Sequence, residues 1–249
     1  SPVISISLKS MKQGSYKDAF HMFKVLIARE YDRHKVILKS DKISDSERDL
    51  FHSILNQRAE DAFYLDSIKF LSDIMVKYYN KNVIILIDEY DVPLESAFHQ
   101  GFYTDMVNLI RSVFESALKT NPSLDRAFLT GCLRVSKESI FTGLNNLQIF
   151  SIMSTKFDDS FGFTQEEINV MLECYDLTDK SSDIAHWYDG YKFNDVDIYN
   201  PWSVLNYLSE AAEKSSALCK PYWSNTSSNE IVKRLIEESN DRTKNAIEE

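Results

Sequence analysis

The sequence predicts an α/β protein: a mainly parallel sheet flanked by helices, followed by a mostly helical part. Three observations carry this. Short apolar runs, "VIILI" at 83–87, "RAFLTG" at 126–131 and "LQIFSI" at 147–152, read as strands of a helix-covered sheet. Long stretches of helical periodicity separate them. After Phe157 the texture changes to shorter helices and turn-rich segments, so the division expected is an α/β core over 1–157 and a mostly helical subdomain over 158–249.

Taken in order, "VISISL" from Val3 to Leu8 alternates apolar and hydroxyl residues and reads as a strand. From Tyr16 to about His34, Phe20, Phe23, Ile27 and Tyr31 fall near one helical face. Ser44 and Glu47 make a capping box for a helix to about Asn56. Leu65, Ile68, Leu71 and Met75 form the stripe of a helix over 61–79, and another helix spans 103–119 before Asn121-Pro122. Ser136 to Phe141 reads as a short helix. In the second part, Thr164 and Glu167 cap a helix to about Tyr175, and 183–188 reads as another. Turn and short-strand signals follow before Asn200-Pro201 opens a helix at N-cap and N1, and a last helix spans 228–238.

The chain has 249 residues and a mass of 28.9 kDa, enough to bury a sizeable core. Its net charge of −10 argues against a broadly basic nucleic-acid surface. No apolar run approaches the roughly 20 residues of a membrane span, and "SPVISISLKS" is not a signal peptide. The three cysteines, Cys132, Cys174 and Cys219, are widely spaced, which suggests reduced thiols, small buried hydrophobes and a cytoplasmic setting. The five histidines show no metal-ligand spacing. The six glycines nowhere form GxxxxGK[ST] or GxGxxG.

The run Val83–Ile87 leads straight into Asp88-Glu89. In an open parallel sheet, ligands bind at the carboxyl ends of the strands, where these carboxylates sit. In phosphoryl-transfer enzymes of the P-loop type, the first such carboxylate holds Mg²⁺ and a neighbouring glutamate orients the attacking water. The alternative is a strand that simply exits to solvent. Thr130 ends the next apolar strand, where a P-loop enzyme places a γ-phosphate sensor; its hydroxyl could equally satisfy a nearby backbone group. Arg134 is either a phosphate contact or an exposed surface arginine.

Six stretches together resemble one family. They are "VIILIDEYDVPL", "FLTGCLRVSKESIFTGLNNL", "FGFTQEEINVML", "WYDGYKF", "IYNPWSVLNYL" and "YWSNTSSNEIVKRLI". In this order they are similar to the predicted AAA-ATPase-like proteins, P-loop NTPases often fused to a C-terminal PD-(D/E)XK nuclease-like domain. The resemblance implies a partial P-loop NTPase-like sheet, with Asp88 as the Walker B metal carboxylate, Glu89 as the catalytic glutamate and Thr130 as the sensor. It leaves Arg134 as a candidate nucleotide contact, while Asp91, Asn145 and Asn146 lie in family motifs without an individual role. Trp187, Tyr188 and Trp202 are expected to pack rather than to touch ligand. The complete family member is expected to use Mg²⁺ and ATP.

One departure is large. The family's phosphate loop, of the type RPRRFGKS, is not among these residues, and with it go the backbone N–H cradle and lysine that bind the β- and γ-phosphates. The expectation is therefore a Walker B, sensor and helical portion that binds no nucleotide tightly and is not hydrolytically competent alone. The alternative is an inactive, NTPase-derived interaction module with Asp88 and Glu89 as remnants. Expected partners are a second copy or a separate N-terminal segment that mends the sheet. Nucleic acid enters only through a nuclease-like domain, and no membrane is involved.

Overall fold

The computed structural model describes residues 1–132, 140–141, 144, 147–214 and 217–223. The chain forms two compact units, Ser1–Leu147 and Gln148–Glu249. Among the described residues, no helix is long and apolar enough to cross a membrane.

The first unit is built on a parallel sheet of three strands, β1 (Val3–Ser7), β2 (Val83–Asp88) and β3 (Leu124–Leu129), in spatial order β1-β2-β3. The sequence dictates which side faces inward. Alternation puts Ile4 and Ile6 of β1 beside Ile85 and Ile87 of β2, all four 5% exposed or less, while Ser5 and Ser7 face out. Burying each such isoleucine contributes about 1.5–3 kcal/mol before entropy is counted. The all-apolar run of β2 suggests cover on both faces, but Ile84 and Leu86 are only half-buried and Phe128, opposite Leu86 on β3, is 55% exposed.

Helix α1 (Tyr16–His34) covers the expected span, starts where the Ser15 hydroxyl accepts from the Asp18 N–H, and buries Phe20, Phe23, Ile27 and Tyr31. α2 (Asp45–Leu55) carries the full capping box of Ser44 and Glu47. The single helix expected over 61–79 is instead two, α3 (Asp61–Leu65) and α4 (Ser67–Tyr79). At the break the Ser67 hydroxyl donates to the Tyr64 carbonyl, and the buried Tyr31 hydroxyl donates to the Ser67 carbonyl. Side chains there take over bonds that a continuous helix makes through its backbone. A short helix, α5 (Val92–Gln100), follows β2 directly, with Pro93 in its first turn and Gly101 in the left-handed conformation at its end. α6 (Tyr103–Phe114) then runs into a π-helical turn, Glu115–Lys119.

β3 begins and ends two residues earlier than the sequence reading placed it. The third strand expected at 147–152 does not form: these residues have no strand pairing, and 148–152 are exposed. A short apolar run lacks the periodicity that distinguishes strand from loop, and here its side chains find no core. Of the expected helix at 136–141, residues 136–139 lie outside the described residues.

The second unit has its own core, centred on Ile168, Leu172, Ile184, Val204, Tyr207 and Leu208. α7 (Gln165–Cys174) has the Thr164–Glu167 capping box, and α8 (Ser181–Tyr188) runs into a hairpin of β4 (Asp189–Phe193) and β5 (Val196–Tyr199). α9 (Pro201–Glu213) starts where the Asn200 side chain accepts from the Ser203 N–H. Tyr188 is buried against Tyr207 and Tyr222 as a packing residue, whereas Trp187 and Trp202 stay about half exposed. The expected helix at 228–238 lies outside the described residues. The cysteines depart from the expectation of burial: Cys132 and Cys174 are exposed and Cys219 is partly so, with none paired.

Candidate functional site

The carboxyl ends of the three strands bring oxygen-bearing side chains into one row. Strand register sets Ser7 beside Asp88, and the Thr130 hydroxyl donates to Asp88 Oδ1 at 2.5 Å. Asp88 is held by its backbone as well, since its carbonyl accepts from the Leu8 N–H at 2.9 Å. Ser7 escaped the sequence reading, although the alternation of "VISIS" already assigns it the same face as Ser5.

Glu89 takes a different course. Its φ of +53° is left-handed, a conformation costing a residue with a Cβ about 1–2 kcal/mol. The Thr130 N–H donates to the Ile87 carbonyl at 2.9 Å, yet the Thr130 carbonyl accepts from Tyr90 at 3.1 Å. In a regular parallel ladder that second bond comes from residue 89. The left-handed turn thus slips Glu89 out of the ladder immediately after Asp88.

Behind them the backbone is tightly packed. A Cβ on Gly131 would stand 2.6 Å from Asp91 Oδ1 and 2.9 Å from Tyr90 Cε1. Asp91 is only 2% exposed and heads α5, its carbonyl accepting from the N–H groups of Leu94 and Glu95. The Tyr90 ring packs edge-on to Phe141. The electrostatics register on Cys132, whose thiol is pushed up by burial and then by the charges of Asp91, Glu89, Glu95 and Asp88. The carboxylates of Asp88, Glu89, Asp91 and Glu95 thus gather around this end of the sheet.

Asp88 and the hydroxyls beside it are hard oxygen ligands, and no group of three or more His, Cys, Asp or Glu among the described residues could cage a metal. Mg²⁺ is commonly bound through one or two carboxylates, with water and substrate phosphate oxygens completing its shell. Of the residues singled out from sequence, the structure brings Asp88 and Thr130 into contact and places Glu89 next to them. Arg134, Asn145 and Asn146 lie outside the described residues.

The sequence profile of the predicted AAA-ATPases matches residues 1–141, more than half of the chain and all three strands of the sheet. The chain belongs to the predicted AAA-ATPase family. Within this family context, the match covers Asp88, Glu89 and Thr130. This predicted AAA-ATPase is also 26% identical over 159 residues to an uncharacterized protein in the vnfD 5′ region of Azotobacter chroococcum mcd 1. That alignment takes in 64% of the present chain and 30% of the relative, so the chain spans less than a third of that protein. No solved structure matches this predicted AAA-ATPase.

Proposed function

We propose that the first unit supplies the Walker B and sensor side of an ATP site: Asp88 as the metal carboxylate, Glu89 as the catalytic glutamate and Thr130 as the sensor. The observation that carries this reading is the Thr130–Asp88 hydrogen bond at the carboxyl ends of adjacent parallel strands, with Glu89 turned out of the ladder beside it. Asp88, fixed by two neighbouring strands, would hold Mg²⁺, which when bound neutralises phosphate charge. The Thr130 hydroxyl gives its single proton to the Asp88 carboxylate and keeps it oriented; as a sensor it would turn that proton to a terminal phosphate oxygen instead. Glu89, in its left-handed turn beside Asp88, would accept a proton from an attacking water.

The 249 residues carry no GxxxxGK[ST] or GxGxxG motif, so on this reading the chain alone holds nucleotide poorly and does not hydrolyse it. Calorimetric titration with ATP and Mg²⁺ is expected to give a dissociation constant no tighter than about millimolar, and a micromolar value overturns that part. A longer polypeptide joining this chain to a GKS-containing loop is expected to hydrolyse ATP. There Glu89→Gln should lower turnover by about 10²-fold or more while leaving nucleotide binding in place. Unchanged turnover removes Glu89 from the chemistry.

A further inference from the structure

The outer edge of β1 is occupied by side chains in the pattern of a missing strand. Pro2 accepts from Ile84 and Leu8 donates to Asp88, so alternate residues point their backbone groups at β2. The intervening residues, Val3, Ser5 and Ser7, point theirs away from the sheet. A residue of a further parallel strand would donate its N–H to the Val3 carbonyl and accept from the Ser5 N–H at its own carbonyl. Both positions are filled from one turn of α1. Arg33 Nη2 donates to the Val3 carbonyl at 3.0 Å, and Glu30 Oε1 accepts from the Ser5 N–H at 2.9 Å.

The arrangement is built rather than incidental. Glu30 is only 5% exposed, unusual for a carboxylate on an outer helix, and Arg33 Nε donates to its Oε2 at 2.9 Å. His34 Nε2 lies 3.1 Å from Oε1. A cleft of about 330 Å³ lined by Ser5, Ser7, Arg29, Glu30 and Arg33 runs beside β1, so solvent and other chains can reach this edge. Glu30 is the buried member of the pair, and the Arg33 side chain stays about half exposed at the edge.

We propose that Glu30 and Arg33 act as a side-chain surrogate for a neighbouring strand and close this edge of the sheet against strand addition by a second copy of the chain. Exposed strand edges recruit other chains, and inward-pointing charges are one way to block them. The inference does not depend on nucleotide chemistry at the carboxyl ends of the strands.

The test uses the full 249-residue chain. In a Glu30→Ala/Arg33→Ala double variant, hydrogen exchange of the Ser5 amide should rise about tenfold or more. Sedimentation velocity should show concentration-dependent association beyond that of the parent. Glu30→Gln retains an acceptor oxygen and should keep both Ser5 protection and the parental sedimentation at neutral pH. A folded double variant that sediments like the parent overturns the proposal, as does a Glu30→Gln variant that associates like the double variant. Should the double variant not fold, the parent decides: a Ser5 amide protected about tenfold or more supports the surrogate, and one exchanging at its intrinsic rate refutes it.

Discussion

Gly131 shows how little room surrounds the candidate site. A methyl group there would meet the carboxylate of buried Asp91 and the ring of Tyr90, both inside normal contact. Gly131→Ala is expected to cost about 1–3 kcal/mol, read as a lower urea midpoint with an unchanged slope. Glu89 is the converse case, since its left-handed backbone is better suited to glycine. Glu89→Gly should be no less stable than the parent in the same assay, while removing the proposed proton acceptor. Glu30 sets an acid limit. Burial alone would raise its pKa, but hydrogen bonds from His34, Arg33 and the Ser5 N–H, with the charge of Arg33, hold it below its ordinary 4.5. A depressed folded value means the stabilisation is complete above the unfolded pKa and is lost as pH falls through the folded one. Chemical denaturation below pH 4.5 should therefore show a steeper loss of stability in the parent than in Glu30→Gln.

Elements were most legible where backbone chemistry is local. The two capping boxes, Ser44–Glu47 and Thr164–Glu167, were readable as residue spacings, and both formed as hydrogen-bonded pairs. Ser44→Ala and Thr164→Ala are each expected to cost about 1 kcal/mol by thermal unfolding. The apolar run of β2 was equally plain, because five branched residues leave few alternatives to a strand. The failures have physical causes. The segment at 147–152 is as apolar as a strand yet joins no sheet, and pairing is a non-local property that composition does not carry. The break at Asp66 is accompanied by a bond from Tyr31, thirty-six residues from Ser67, to the Ser67 carbonyl, a partner that local periodicity does not display. α5 carried readable signals, Pro93 early and Gly101 after its end, which the carboxylates beside it overshadowed.

For the whole molecule, half of the candidate site was legible and half was not. Asp88 and Thr130 end two apolar runs, so a parallel sheet brings their ends together without further information. The slip at Glu89 and the row with Ser7 depend on ladder geometry, which a linear sequence does not display. The net charge of −10 bears on the molecule entire. Gel-shift with duplex DNA at physiological salt should show no binding at micromolar protein, because too few phosphates would be neutralised. The parallel sheet also gives the first unit one end that carries the candidate site and an opposite end that does not. All three strands start together and finish together, so the turn at Lys81, before β2, lies at the opposite end from Asp88. The six residues of β2, the last of them Asp88, span about 20 Å. A fluorophore or short tag inserted at exposed Lys81 would thus ride on the far rim of the sheet, while the same insertion after Thr130 would strike Tyr90 and Asp91 at once.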